Sequence, residues 1–249
     1  HARALLPGLG FNVKALPILA VFGGVHKGFA PPSASLYQKA ESSVNVEVGM
    51  RLTTNKMKLE AIAFNNNYSN MLGSDLAAQG GQGTLEQFNV GKAMVNGLEL
   101  MFQYLPLPKH FAFQLPIQLS YTYTNTQMKN DFESSAWGHV HYGDEIPYIY
   151  KHAFNAQISL EHKRVEANFG ARFNGDMRTT PGQGKIAERE KIPAHVILDA
   201  SLKVHVNKNI TISLNGINLA NKKYLVSRHP SGLRAGHPLG VYGGLRLQL

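Results

Sequence analysis

Apolar and polar residues alternate along most of this chain. In residues 43–53, Val44, Val46, Val48, Met50 and Leu52 fall on one side, opposite Asn45, Glu47, Gly49 and Arg51. Residues 111–125 repeat the pattern, with Phe111, Phe113, Leu115, Ile117, Leu119, Tyr121 and Tyr123 opposite Gln114, Gln118, Ser120, Thr122 and Thr124. Residues 153–163, 165–174, 196–206 and 239–249 alternate in the same way. A period of two belongs to a strand, whose side chains point to opposite faces in turn. The pattern is less regular at 17–27, 57–68, 95–104 and 210–218. These are assigned as strands because their neighbours need hydrogen-bonding partners. A first strand at 7–14 brings the count to about eleven. No stretch shows helical periodicity, and the predicted class is all-β.

The connections alternate in length. Short ones fall near 14–16, 54–56, 105–110, 162–164 and 207–209, and long ones near 29–42, 69–89, 127–147, 175–193 and 219–238. All the long connections therefore lie at one end of the strands. A sheet with one greasy and one polar face has natural surroundings if it closes into a barrel, with lipid outside and water inside. Outer-membrane barrels also have short periplasmic turns and long extracellular loops. The prediction is an antiparallel transmembrane β-barrel portion. Tyr121, Tyr123, Tyr148, Tyr150 and Phe154 near the outer ends, and Phe111 and Phe113 near an inner end, suit the aromatic girdles at the two interfaces.

Composition narrows the alternatives. With 43% hydrophobic and 16% charged residues, the chain lacks the charge-rich, apolar-poor balance of disorder. The longest apolar run, 15–25, is broken by Pro17 and by Gly23 and Gly24, and falls short of the ~20 residues a spanning helix needs. No basic-then-apolar leader opens at His1, so the sequence reads as a mature or excised segment. The absence of cysteine excludes disulfide and thiol chemistry. The net charge of +9 is spread singly along strands and loops, apart from one late loop, and no nucleic-acid partner is expected. Nucleophile-elbow, phosphate-loop and HExxH patterns are missing, and no enzyme activity is expected.

Five motifs carry a family resemblance. They are LPGLGFN at 6–12, FGGVHKGFAPPS at 22–33, NVGKAMVNGLELMFQY at 89–104, IPYIYKHAFN at 146–155 and NGINLANKKYL at 215–225. In this order they resemble the C-terminal part of the β-barrel of TonB-dependent outer-membrane receptors, and the first two look most like the ferric-dicitrate branch. The resemblance implies a barrel of about 22 strands, of which residues 1–249 would supply the C-terminal half, with the plug domain and first barrel strands absent. It implies a receptor in the outer membrane of a Gram-negative bacterium that imports an iron chelate, ferric citrate. The chelate would be transported cargo and not a covalently bound cofactor. It further implies energy from the TonB–ExbB–ExbD complex acting through the plug, and contacts with outer-membrane lipid and lipopolysaccharide. The alternatives are a receptor for haem or nickel, and a passive porin-like or structural barrel.

Two loops hold candidate chemistry. Residues 219–238 carry Lys222, Lys223, Arg228 and Arg234 against no Asp or Glu, with His229 and His237 beside them. Residues 175–193 carry Arg178, Lys185, Arg189 and Lys191 against Asp176, Glu188 and Glu190. Guanidinium groups grip carboxylates through paired hydrogen bonds, so Arg228, Arg234, His229, Arg178 and Arg189 are the predicted substrate-binding residues. The plainer reading is that these cations meet lipopolysaccharide phosphate or water. In the loop at 127–147, His139 and His141 stand two apart on an extended chain and project to one side, the arrangement of a metal-binding pair. On the polar face, Glu47, Glu161, Glu166 and Asp199 alternate with Arg51, Arg172 and Lys203. They read as cross-strand ion pairs of a pore wall.

Overall fold

The computed structural model describes residues 4–31, 39–74, 87–108, 110–134, 137–228 and 232–248; His229 and Leu249 lie outside them. Eleven strands follow one another in a single antiparallel sheet: β1 (Gly8–Leu16), β2 (Leu19–Ala30), β3 (Glu41–Thr53), β4 (Met57–Ser74), β5 (Gln87–Tyr104), β6 (Ile117–Met128), β7 (His152–His162), β8 (Val165–Asn174), β9 (His195–His205), β10 (Ile210–Ile217) and β11 (Gly240–Leu247). Each pairs with the next in sequence, as the alternation of short and long connections requires. The sheet does not close on itself: β1 and β11 each keep one unpaired edge.

The rows across this sheet explain the sequence pattern. Val48 lies opposite Ala63, Ala63 opposite Leu98, and Leu98 opposite Tyr123. Further along, Phe154 meets Phe173, and Phe173 meets Val196. Leu202 meets Leu214, which meets Gly243. One face is thus apolar from β1 to β11, and Val44, Val46, Val48, Val241, Leu245 and Leu247 stand exposed on it. In water that face would forgo roughly 25 cal/mol for every Å² left unburied, whereas in a bilayer it is what the strands require. Directly above the Ala63–Leu98–Tyr123 row runs Asn65–Asn96–Asn125, where this face turns polar on β4 to β6.

The opposite face is polar and cross-linked. Ser159 Oγ donates to Asn168 Oδ1 at 2.6 Å, and Asn168 Nδ2 donates to Ser201 Oγ at 3.1 Å. Arg172 pairs with Asp199 at 3.4 Å and Lys203 with Glu166 at 3.3 Å, as the sequence led us to expect. Arg51 pairs with Glu60 on the neighbouring strand, and not with Glu47 on its own.

Two boundaries differ from expectation. The strand foreseen at 111–125 is broken. Phe113–Gln114 pairs with β7 by itself, Phe111 stands outside any strand, and β6 proper begins at Ile117. Pro116 has no N–H for the ladder, although its carbonyl accepts from Ser159 N at 2.9 Å. The second difference is length. β4 and β5 run to Ser74 and from Gln87, well beyond 57–68 and 95–104. They pass through a bulge where Asn70 and Gly91 adopt positive φ, 52° and 82°. Asn65, Asn66 and Asn67 are polar on both faces, so the alternation vanishes just where these strands leave the apolar band.

Few hydrophobic side chains are fully buried. The one buried cluster among the described residues gathers Val90, Ala93, Met128, Val140 and Ile146, with Trp137 and Tyr68 packed against it. It sits at the long-connection end, where the loop after β6 folds over the polar face of β4 to β6. The centre of the sheet needs no such core because each of its faces has its own solvent.

Candidate functional site: the packed long-loop end

Among the described residues, three long connections pack at the outer end, and each carries a short hairpin of its own. In residues 129–151, Phe132–Ser134 pairs with Gly138–Val140. In residues 175–194, Met177–Arg178 pairs with Lys191–Ile192, and in residues 218–239 Leu225–Ser227 pairs with Arg234–Ala235. Gly182 and Glu145 bridge the first two connections through their backbones, with Glu145 N donating to Gly182 O at 2.9 Å.

Glu145 is the electrostatic centre of this cap. Its carboxylate accepts from Arg178 Nε at 2.9 Å and from Lys151 Nζ at 2.5 Å. Partial burial pushes its pKa up, but the two hydrogen bonds and the two positive charges outweigh that, and the net shift is below the ordinary carboxylate value. Arg178 is only 6% exposed and also donates to Gly184 O at 3.0 Å. Beside it, buried Asp144 accepts from His141 N at 2.9 Å and from Gln183 Nε2 at 3.1 Å.

The third connection is tied in by Arg228. Its Nε donates to Lys191 O at 2.7 Å and its terminal nitrogen to Glu188 O at 3.2 Å. Tyr150, His195 and Tyr224 form an aromatic cluster, Tyr150 edge-on to His195 with ring centroids 6.2 Å apart and His195 tilted against Tyr224 at 4.6 Å. At the foot of this connection Asn218 is fully buried with φ of 50°. Its amide donates to Lys222 O at 2.9 Å and His237 O at 2.8 Å, and its carbonyl accepts from Lys222 N at 2.8 Å. Both arms of the loop are held by this one side chain.

The predicted substrate-binding residues therefore separate into two groups. Arg178 and Arg228 are occupied with loop carboxylate and carbonyls and do not converge on a common open point. Arg189 is 87% exposed, with Glu190 at 3.4 Å, and Arg234 is exposed at the hairpin edge. His229 lies outside the described residues. For the predicted metal pair, His139 is exposed with Glu133 at 3.4 Å, and His141 follows it just past the strand end. Among the described residues no group of three His, Asp or Glu side chains could hold a metal ion. Sequence reasoning missed Glu145, Asn218 and the Tyr150–His195–Tyr224 cluster. Only Asn218 had a usable signal, since an Asn between two strand-like segments is a favoured left-handed residue.

Comparison with known proteins fits this architecture. Residues 1–219 match the family described as TonB dependent receptor-like, beta-barrel. The chain belongs to that family. TonB-dependent receptor barrels are outer-membrane proteins of Gram-negative bacteria, and the family consists of transport receptors, not enzymes. A probable TonB-dependent siderophore receptor, PiuA, of Acinetobacter baumannii is 27% identical over 149 residues, which is 57% of this chain and 19% of that protein. Among solved structures, the ferric citrate transporter FecA in its unliganded form superposes with a TM-score of 0.75 at 18% identity, covering 97% of this chain and 38% of that one. The ferric-catecholate import receptor Fiu of E. coli K12 gives 0.71 at 20% identity, covering 96% of this chain and 34% of that one. At these identities the superpositions show a shared fold. The chain spans about a fifth of the curated relative and 34% and 38% of the two solved receptors.

Proposed function

We propose that this chain forms the C-terminal wall and the extracellular loops of an outer-membrane receptor that imports an iron chelate, ferric citrate, with energy supplied by TonB. The wall would be part of a barrel of about 22 strands. The plug that meets the TonB–ExbB–ExbD complex would belong to the rest of the receptor. The relatives, a probable siderophore receptor, a ferric citrate transporter and a ferric-catecholate import receptor, support an iron chelate as cargo. The observation that carries the citrate assignment is the acid-free connection after β10. Lys222, Lys223 and Arg234 are exposed there, and Arg189 of the adjacent connection is exposed as well. An anionic polycarboxylate complex suits such a surface, because guanidinium and carboxylate match in charge and in hydrogen-bond geometry.

In this reading Arg234 and Arg189, with His229, meet the chelate, while Arg178 and Arg228 hold the loops that present them. The double variant Arg189→Ala with Arg234→Ala in the complete receptor should weaken ferric-citrate binding roughly thirtyfold to a thousandfold, at about 1–2 kcal/mol for each lost charged hydrogen bond. Equilibrium binding of labelled ferric citrate to receptor-bearing outer membranes measures this. Unchanged binding would remove these connections from the site.

A further inference from the structure

We infer that the periplasmic mouth of the wall carries a second anion site, which takes a polycarboxylate of the same chemical class as the proposed cargo. It rests on the reading of that cargo as an anionic chelate, and it lies at the opposite end of the strands from the loops that would meet the chelate first. One row across the last four strands leads to it. Arg164 stands opposite His205, whose N donates to Arg164 O at 2.8 Å. His205 lies opposite Thr211, and Thr211 opposite Arg246. The adjacent row, Val165, Val204, Ile212 and Leu245, belongs to the apolar face. The Arg164–Arg246 row therefore faces the polar side, which lines the pore in the proposed barrel.

A hollow of about 610 Å³ opens over this row, with Lys163 and Lys208 of the flanking turns beside it. Arg164, Arg246 and the two lysines are exposed, and among the described residues none of them is in an ion pair. No Asp or Glu lines the hollow. The next row up the polar face runs Glu161, Glu166, Lys203, Ser213 and Gly244. Glu166 is already held by Lys203 at 3.3 Å and by His205 at 3.1 Å, and Ser213 and Gly244 are too small to cover the hollow. Arg164 and Arg246 start three strand spacings apart, about 14 Å. Guanidinium groups leaning inward from both ends would each grip a separate carboxylate through paired hydrogen bonds. A lone phosphate would meet only one of them, and a phospholipid of the bilayer stays on the other face of the sheet. An anion carrying several carboxylates matches both the spacing and the charge, and it would be held here as it leaves the pore.

The test compares the purified complete receptor in detergent, where both ends of the wall meet solvent, with intact de-energised cells, where only the loop end does. Labelled ferric citrate is titrated into both, and labelled iron-free citrate into the detergent sample. The detergent sample should bind an additional equivalent. Arg164→Gln with Arg246→Gln should weaken that equivalent by on the order of a hundredfold, about tenfold for each guanidinium lost, and leave binding to cells unchanged. Binding of iron-free citrate should fall with it. Lys163→Gln with Lys208→Gln, confined to the turns, should weaken the same equivalent by a smaller factor and keeps the test readable if the strand variant folds poorly. Lys14→Gln with Lys56→Gln, on the same rim outside the hollow, should change nothing. Unchanged detergent binding in the Arg164 and Arg246 variant would overturn the inference, and so would an equal loss in the Lys14 and Lys56 variant. Inorganic phosphate that competes as well as citrate would overturn it too. The Arg189 and Arg234 double variant separates this site from the loops, because it should lower binding to cells and leave the additional equivalent in place. If binding to cells survives that variant while the Arg164 and Arg246 variant still loses iron-free citrate, the loop assignment fails and the mouth site stands.

Discussion

Among single residues, the arginines show most clearly why a charged loop is hard to read. Arg178 and Arg189 look equivalent in the sequence, yet one is buried on a carboxylate and the other stands in water. The difference is made by Glu145, which lies 33 positions before Arg178 on another connection. No periodicity links those positions, so the pairing was not legible. Glu145 also gives the cap a definite pH dependence. Its folded pKa lies below the ordinary value, so ionisation stabilises the cap at pH values above the unfolded carboxylate range. That contribution is lost as pH falls through the lowered folded value. Glu145→Gln should loosen residues 175–194 by about 2–3 kcal/mol near neutral pH, because it leaves the buried Arg178 without its counter-charge. It should also flatten the acid-side dependence. Hydrogen exchange of the Met177–Arg178 and Lys191–Ile192 hairpin between neutral and acid pH measures both effects. Equal protection in the variant and the parent at neutral pH would mean that the pair does not hold the loop.

Among elements, most of the wall was legible because every face of every strand has one solvent. β3, β7, β8, β9 and β11 alternate cleanly, and their extents match to within two or three residues. β4 and β5 were read too short. Asn65, Asn66 and Asn67 put polar side chains on both faces of β4, so the two-residue period is lost there. Their pairing also depends on a glycine that alternation could not flag. Gly97 lies opposite Phe64 and Thr124, and the Phe64 ring lies over it. A Cβ at Gly97 would clash with Tyr123 O and come 2.8 Å from the Phe64 ring. Tyr123 O is strand backbone and cannot retreat without disturbing the β5–β6 ladder. Gly97→Val should therefore destabilise the complete receptor by about 1–3 kcal/mol, the usual cost of overpacking. The check is the temperature at which the folded band disappears in heat-modifiability gels, which should drop. No change would mean that β5 can shift away from β6 without loss.

For the whole molecule, the decisive feature is what the sheet leaves unsatisfied. β1 is paired only with β2, and β11 only with β10. Each outer edge presents a row of N–H and C=O groups with no partner in the sheet, and in lipid each such group costs several kcal/mol. Hydrophobic burial cannot compensate, because the apolar band gains as much from lipid when the edges are open as when they are closed. An isolated sheet should therefore pair its edges with another copy, since exposed edges are templates for strand addition. Refolded alone in detergent, the 249-residue chain should give oligomers by light scattering and no compact heat-modifiable band. Co-refolding with the remaining barrel strands of the receptor should recover a monomeric band. If the chain alone instead gave a monomeric, protease-resistant species, β1 and β11 would have to close on each other as an eleven-stranded barrel. The polar wall would then line a much narrower pore, and a share in a larger receptor would no longer follow from the sheet.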